Sequence, residues 1–439
     1  MKRIIDKELL LWKGNRDRKV LLVRGARQVG KTYSMRQLGK SFKHFVEVNF
    51  EELKDVRVFF DGVLSPDEII RKLSVYFNTP INPHETLLFF DEIQACPNAL
   101  QSLRFFHEKM KELHVAAAGS LLEFVLSEIS SFGVGRIETF FMYPMTFAEF
   151  LKNSGDEGLN QIIADASLDK PVDEVFHNKI LDRLKLFQII GGMPETVRAY
   201  IETQDFTKCQ KSADTLITSI NDDFAKYRKR LSAIKLQETF KSIIMQVGNK
   251  FKYSNISDEP SSGYKNALDL LIRAGLAYKV FHTSARGLPL GAQIDEKKFK
   301  VLFFDTGIYQ RVMGLDLASY MSSPIEDLVN KGAFAELFVG LELIASEKNY
   351  VHPELYYWHR EAKSSNAEVD YIVSVNNKII PIEVKSSRKG QMQSLRLFLK
   401  ERNKTYGIRI SCENFGKHEN IISIPLYAIP KLYEIISSF

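Results

Sequence analysis

The chain has 439 residues, of which 45% are hydrophobic and 26% are charged, a composition typical of a folded globular protein. This length exceeds what one hydrophobic core supports, so we expect two to four domains. The net charge of +6 is too small to indicate a nucleic-acid partner by itself, although it is compatible with one.

Cysteine usage and apolar patterning predict a cytoplasmic protein. Cys96, Cys209 and Cys412 lie far apart, which argues against a disulfide framework and against a cysteine metal site. The N-terminus lacks the apolar stretch of a signal peptide. The longest apolar runs are strand-sized, well below the ~20 residues that cross a membrane, so we expect no membrane partner.

The first part of the chain alternates apolar segments with charged, helix-like stretches. This alternation is typical of a parallel sheet with helices on both faces. The predicted strands are Val20–Val23, Phe45–Val48, Leu87–Phe90, Val115–Ala118 and Thr139–Met142.

The remainder of the chain predicts helices first and strands later. Apolar residues at helical spacing indicate a helical lid from about residue 146 onward. Two candidate strands, Leu276–Phe281 and Lys298–Phe304, follow helices in an order that suggests a winged helix. The last region begins with a long helix and continues with the candidate strands Leu355–Trp358, Val369–Val373, Ile379–Val384 and Thr405–Ile410.

One loop carries a phosphate-binding pattern. The run Gly25-Ala26-Arg27-Gln28-Val29-Gly30-Lys31-Thr32 matches G-x-x-x-x-G-K-[ST], and it lies between a predicted strand and a predicted helix, as this motif requires. Backbone N–H groups of such a loop surround a phosphate at the positive end of the helix. We expect Lys31 to bridge the β- and γ-phosphates of ATP and Thr32 to ligate Mg²⁺.

Acidic and polar residues follow the neighbouring predicted strands. Asp91 and Glu92 follow the apolar run Leu87–Phe90; we expect Asp91 to hold Mg²⁺ and Glu92 to act as general base for the attacking water. Ser120 either senses the γ-phosphate or caps the next helix. Arg136 is either an arginine finger, in its own subunit or in a neighbouring one of an oligomer, or a solvated surface residue.

These motifs resemble a family of prokaryotic AAA-like ATPases that carry a C-terminal region of unknown function, DUF4143. The resemblance rests on the loop Gly25–Thr32, on Phe90–Gln94 and on Gly119-Ser120. Further landmarks of that family are similar to Tyr143–Phe150, Gly191–Glu195 and Phe304–Gly307. The resemblance spans nearly the whole chain and implies ATP binding and ATP hydrolysis, but it implies little about biological role.

A second group of charged residues lies in the C-terminal region. Asp370, Glu383 and Lys385 form the pattern D-x(12)-E-x-K, which resembles the PD-(D/E)xK nuclease superfamily. Two carboxylates on adjacent strands can hold Mg²⁺, and the lysine can orient or deprotonate a water. Glu336, on the preceding helix, could add a metal ligand. The alternatives are a surface salt bridge on a hairpin, and a nuclease fold that binds without cutting.

Basic and amide side chains near this group could contact phosphate. Lys385–Lys389 follows directly on the acidic pair, and Lys226–Arg230 is a second basic run. Gln391 or Gln393 could reach a phosphate from the next helix. The alternative for each is a solvated surface, although the position of the Lys385–Lys389 run favours phosphate contact.

We therefore predict an α/β fold with three domains. These are an AAA-like P-loop ATPase with a helical lid (residues 1–205), a winged-helix-like domain (206–320) and a restriction-endonuclease-like α/β domain (321–439). The expected function is ATP hydrolysis with Mg²⁺, coupled to binding or cleavage of nucleic acid, DNA before RNA. The alternatives are a nucleotide-dependent signalling switch and a protein-remodelling ATPase whose C-terminal domain only binds a partner.

Overall fold

The structure is a computed structural model that describes residues 1–119, 135–226, 232–316, 331–361, 366–386 and 392–438. The chain forms two units. The first contains Met1–Pro144 with the short segments Arg273–Gly275 and Lys348–His352, and the second contains Met145–Ile272, Leu276–Glu347 and Pro353–Phe439. The first unit ends at Pro144, and the helices that directly follow belong to the second unit.

The first unit is built on a five-stranded parallel sheet in the order β2-β3-β4-β1-β5. Its strands are β1 (Val20–Arg24), β2 (His44–Asn49), β3 (Thr86–Asp91), β4 (His114–Ala118) and β5 (Ile137–Phe141). Its helices are α1 (Ile5–Gly14), α2 (Lys31–Gly39), α3 (Pro66–Tyr76) and α4 (Pro97–Lys109), with 3-10 turns at Lys54–Phe60 and Ile93–Ala95.

Burial explains why these strands have continuous apolar sequences. Every residue of β3 and β4 is buried, as expected for strands covered on both faces. Phe90 of β3 packs on Phe50, Phe60 and Phe106, with ring centroids 5.6 to 5.9 Å away. All five predicted strands of this region are confirmed, with small shifts at their ends.

The second unit contains helices on either side of a large sheet. Its helices are α5 (Phe147–Asn153), α6 (Glu157–Asp165), α7 (Glu174–Ile190), α8 (Pro194–Thr203), α9 (Phe206–Lys226), α10 (Ala233–Met245), α11 (Ser262–Arg273), α12 (Thr306–Val312), α13 (Lys331–Ser346), α14 (Gln393–Glu401) and α15 (Leu432–Ser437). Its 3-10 turns are Tyr253–Asn255, Leu290–Gln293 and Leu426–Lys431.

The sheet of the second unit has eight strands in the order β12-β13-β11-β10-β9-β8-β6-β7. The strands are β6 (Ala277–Thr283), β7 (Ile294–Phe303), β8 (Leu355–His359), β9 (Glu368–Val375), β10 (Lys378–Val384), β11 (Gly407–Ser411), β12 (Gly416–His418) and β13 (Ile421–Pro425).

The two strands that were predicted to form a winged helix, now β6 and β7, are part of this sheet. Strand β6 pairs antiparallel with β7, and its other edge pairs in parallel with β8. An unpaired strand edge offers N–H and C=O groups that another strand can satisfy, and β8 does so here. The winged-helix assignment is therefore not confirmed, since both strands of the hairpin belong to the sheet that also carries Asp370 and Glu383.

Among the described residues, no helix combines the length and the apolar character that crossing a membrane requires.

Two landmark segments of the sequence meet inside the second unit. The buried Asp305 carboxylate accepts hydrogen bonds from the Gly192 N–H at 2.7 Å and from the Ile308 N–H at 2.8 Å. Gly191 has a φ of 77°, and a Cβ there would lie 2.3 Å from Asp305 Oδ1. A glycine is required at this turn because any side chain would displace the carboxylate.

We predict that Asp305→Asn destabilises the second unit by about 1–3 kcal/mol, because the amide cannot accept both hydrogen bonds and leaves a buried N–H unsatisfied. Urea unfolding can be followed by the fluorescence of Trp358 in a Trp12→Phe background, because Trp12 lies in the first unit and Trp358 in the second. Asp269→Asn is the control: this half-exposed carboxylate pairs with Lys279, and its loss should cost under ~1 kcal/mol. Equal effects of the two substitutions would contradict the prediction.

Candidate functional site

The phosphate-binding pattern forms a tight loop between β1 and α2, as predicted. β1 ends at Arg24, and α2 begins at Lys31. Gly25 has a φ of 148°, and a Cβ there would lie 2.1 Å from the Met142 carbonyl oxygen. Gly30 has a φ of 101° at the N-cap of α2. Both glycines are therefore needed for the loop to fold back towards the start of the helix.

Lys31 lies inside this loop. Its ammonium donates hydrogen bonds to the carbonyl oxygens of Gly25 at 2.9 Å and Ala26 at 2.8 Å. Burial lowers its pKa to about 8, against the opposing effect of Glu92 and Asp91. The ammonium is thus held by weak neutral acceptors, which an anionic ligand can replace with stronger charge-assisted bonds.

Thr32 and Asp91 lie in direct contact, although 59 positions separate them. Thr32 Oγ1 donates to Asp91 Oδ2 at 2.9 Å. β4 lies between β1 and β3 in the sheet, and the parallel strands bring the ends of β1 and β3 to the same edge. Burial raises the pKa of Asp91 to about 6, while the Thr32 hydroxyl opposes that rise.

Glu92 occupies a strained turn beyond Asp91. Its φ is 48° and its ψ is 44°, a left-handed conformation that is uncommon for a residue with a side chain. Its backbone N–H donates to Asp91 Oδ1 at 3.1 Å, and its carboxylate accepts from Gln94 Nε2 at 2.5 Å. The turn and Gln94 together fix the direction of the Glu92 carboxylate.

The arrangement fits a magnesium nucleotide. The hydroxyl of Thr32 and the carboxylate of Asp91 are hard oxygen ligands of the kind that Mg²⁺ takes. Lys31 supplies the positive charge for phosphate. The residues of the loop and of the β3 terminus therefore meet the requirements of the predicted site.

The structure also describes the remaining loop residues, and it shows a contact to the loop from Arg3, which the sequence analysis did not predict. Ala26 and Val29 are buried, and Gln28 has a φ of 61°. Arg27 lies close enough to Lys31 to oppose the charge of its ammonium. The guanidinium of Arg3 donates to the Val29 carbonyl at 2.6 Å and to the Tyr143 carbonyl at 2.7 Å. No sequence motif marks Arg3, because its contacts are to backbone atoms far along the chain.

Arg136 does not join these residues within its own chain. It immediately precedes β5, whose first residue pairs in parallel with Val20 at the start of β1. The phosphate-binding loop follows the other end of β1, so Arg136 lies at the opposite edge of the sheet. Its guanidinium forms an ion pair with Glu108. A role in a neighbouring subunit stays a prediction, and Ser120 lies outside the described residues.

The acidic residues of the C-terminal pattern converge in the second unit. Ile382 pairs with Tyr371 across β10 and β9, so Glu383 and Asp370 are the next positions on the two strands. Asp370 Oδ2 accepts from the Val384 N–H at 2.7 Å, and Lys385 Nζ donates to Glu383 Oε1 at 2.7 Å. Burial raises the pKa of both carboxyl groups.

The sequence did not predict a lysine of β7 that lies among these acids. Lys300 Nζ contacts Glu336 Oε1 at 2.7 Å and Glu368 Oε1 at 2.5 Å, with its side chain only 1% exposed. Burial alone disfavours its charge, but Glu336 and Glu368 raise the pKa of Lys300 above its ordinary value. Asp370 lies close enough to contribute to the same effect. We call Glu336, Glu368, Asp370 and Glu383 the carboxylate cluster.

Three acids of the carboxylate cluster, all candidate metal ligands from the sequence, already have partners in the structure. Glu336 is engaged by Lys300, Asp370 by a backbone N–H and Glu383 by Lys385. In the described part of the chain, no group of three or more histidine, cysteine or acidic side chains has an arrangement that could hold a metal ion. Glu383 Oε2 is buried with no hydrogen-bond partner, so one acceptor of the cluster remains open.

An open cavity of about 550 Å³ lies beside β11 and the first turn of α14. Gln393, one of the two predicted phosphate contacts, lines it, while Gln391 and the end of the Lys385–Lys389 run lie outside the described residues. The other lining residues include Arg396, Arg409 and His418. Of the basic run Lys226–Arg230, only the backbone of its first residue is described.

Comparison with protein families divides the chain into three segments. Residues 17–151 match the family described as an AAA domain. Residues 181–319 match DUF8612 and residues 331–429 match DUF4143, both described as domains of unknown function. The first match supports the AAA-like P-loop fold that the sequence predicts for this part of the chain. The DUF4143 match agrees with the resemblance stated from the sequence.

None of the curated proteins matches this chain. The search of solved structures found, among others, the Aeropyrum pernix ORC1 protein in complex with DNA. It is 12% identical, and the match covers 73% of this chain and 95% of that chain at a TM-score of 0.29. A signal transduction ATPase with a tetratricopeptide repeat sensor from Pyrococcus horikoshii is 11% identical. The match covers 79% of this chain and 46% of that chain at a TM-score of 0.29. A variant of Thermotoga maritima RuvB is 13% identical, and the match covers 62% of this chain and 88% of that chain at a TM-score of 0.26. At these TM-scores the likenesses carry no conclusion about this chain.

We predict that ATP affinity falls as pH rises through about 8, the lowered pKa of Lys31. Above that value the free protein loses the ammonium that attracts phosphate, so the dissociation constant should rise by up to ~10-fold per pH unit. Titration of ATP by calorimetry from pH 7 upward measures this. In Lys31→Arg the guanidinium stays charged. The affinity of this variant for ATP should therefore not decline over the same pH range, even if it differs from that of the wild type. A parallel decline in both proteins would contradict the assignment to Lys31.

Proposed function

We propose that the first unit binds ATP with Mg²⁺ and hydrolyses it. The observation that carries this proposal is the direct contact between Thr32 and Asp91 beside the buried ammonium of Lys31. Two magnesium-binding oxygens and one phosphate-binding cation meet at the edge of the sheet where the new helix begins. This combination matches what transfer of a phosphoryl group to water requires.

Each residue has a separate part in the proposed reaction. Lys31 and the backbone N–H groups of Gly25–Thr32 hold the phosphates. Thr32 and Asp91 would hold Mg²⁺, which would neutralise charge on the phosphates. Glu92 accepts the proton of the attacking water, and Gln94 keeps its carboxylate in place. Arg136 could stabilise the developing charge only from a neighbouring subunit of an oligomer.

We predict that Glu92→Gln leaves ATP binding intact and lowers turnover by ~100-fold or more, since the general base is lost while the shape is kept. Binding is measured by calorimetry and turnover by phosphate release. Lys31→Ala is the matched comparison, because it should weaken binding itself. Wild-type turnover in Glu92→Gln would disprove the role of Glu92, and unchanged nucleotide affinity in Lys31→Ala would disprove the site.

A second candidate function is binding of nucleic acid by the second unit, DNA before RNA. It rests on the cavity beside α14, which is lined by the donor side chains of Gln393 and Arg396 from α14 and of Arg409 from β11. Arg409 pairs with Glu413 at 2.6 Å and Arg396 with Glu419 at 2.8 Å. The side chains of Arg396 and Glu419 are each about half exposed. A phosphate can therefore compete with Glu419 for the Arg396 guanidinium at little cost in free energy.

We predict that Arg396→Glu lowers affinity for single-stranded DNA by about tenfold and reduces the salt dependence of binding by about one phosphate contact. Fluorescence anisotropy at several salt concentrations measures both quantities, with RNA and duplex DNA of equal length for comparison. Arg198→Glu, an exposed arginine of α8, is the control for net charge. Equal losses in the two variants would show general electrostatic attraction and no binding at the cavity.

Three alternatives are decided by related measurements. A signalling switch would hydrolyse ATP slowly and show large nucleotide-dependent changes in hydrodynamic size, with no stimulation by DNA. A remodelling ATPase would respond to a protein partner in place of nucleic acid. Cleavage of nucleic acid by Asp370, Glu383 and Lys385, with Glu336 as a further metal ligand, would appear as Mg²⁺-dependent cutting that Asp370→Ala abolishes.

A further inference from the structure

The carboxylate cluster poses an electrostatic problem that the fold must solve. Four acidic side chains lie together, and Glu336 and Glu383 are almost fully buried. Buried like charges repel, and each raises the pKa of its neighbours unless a cation lies between them. In metal-dependent enzymes a divalent ion provides that cation.

Here a lysine occupies that position. The Lys300 ammonium bridges Glu336 and Glu368, which lie on α13 and β9, while Lys300 itself lies on β7. Its alkyl chain is enclosed, and its ammonium lies 5.3 Å from the centre of the Tyr357 ring. A lysine buried to this degree without partners would lose its proton, so the acids and the lysine depend on each other for charge.

The remaining acids also have partners. Lys250 lies 3.8 Å from the second oxygen of Glu368, Lys385 binds Glu383 and a backbone N–H binds Asp370. A metal ion shared by Glu336 and Asp370 would have to displace the Lys300 ammonium from Glu336. That displacement would leave a buried cation next to a divalent ion, which is strongly unfavourable.

We propose that Lys300 is the resident cation of the carboxylate cluster, so that the second unit holds these four acidic side chains together without a divalent metal. The inference differs from the proposed ATPase function and does not depend on it. It bears on the predicted role of Glu336 as a further metal ligand, because Lys300 engages that carboxylate, while Asp370 and Glu383 of the D-x(12)-E-x-K pattern still converge.

The test is binding of Mn²⁺ to the nucleotide-free protein, measured by electron paramagnetic resonance and by thermal unfolding. The wild type should show no Mn²⁺ binding that depends on Asp370, and no shift in melting temperature with Mn²⁺. Lys300→Met removes the cation and should lower the melting temperature of the second unit by roughly 10 °C in EDTA. Mn²⁺ should then bind the variant and recover part of this loss.

Further variants keep the test decisive if Lys300→Met does not fold. Lys300→Met combined with Glu336→Met replaces the pair by apolar side chains, so it should fold in EDTA and gain nothing from Mn²⁺. Lys298→Met is the matched control, because this lysine of the same strand pairs with Glu361 at the surface; it should change neither stability nor metal binding. Wild-type protein that binds Mn²⁺ tightly, and loses it in Asp370→Asn, would overturn the proposal.

Discussion

The cost of burying charge is the constraint on which both units depend. Removing an ion from water costs several kcal/mol unless other groups replace its hydration. In the first unit, loop carbonyl groups surround the Lys31 ammonium, and they are weak enough to yield to a phosphate. In the second unit, carboxylates surround the Lys300 ammonium, and they hold it firmly. The same chemical group is thus available to a ligand in one unit and fully engaged in the other.

The sequence predicts the structure best where the same residues determine both the function and the local fold. The loop Gly25–Thr32 must lie between a strand and a helix to bind phosphate, so its pattern predicts both the site and the elements beside it. The contact between Thr32 and Asp91 was also predictable, because parallel strands that end in functional residues bring them to one edge of the sheet.

The sequence does not predict residues whose partners lie far away along the chain and at no characteristic spacing. Arg3 binds backbone carbonyls, which every residue possesses, so nothing in the sequence distinguishes its targets. Lys300 reaches acids on a helix and a strand that follow it by 36 and 68 positions. The two strands of the β6–β7 hairpin were predicted correctly. The sequence of a hairpin does not show which other strand will pair with its open edge.

The parallel pairing of β6 with β8 has a consequence for how such chains can evolve. The segment that supplies β6 and β7 precedes the C-terminal region, yet it provides two neighbouring strands of the sheet and the cation of its acidic interior. Recombination near residue 320 would give the offspring protein carboxylates from one parent and the lysine from the other. Such exchanges would survive only between parents that share this pairing, so the two segments are expected to be inherited together.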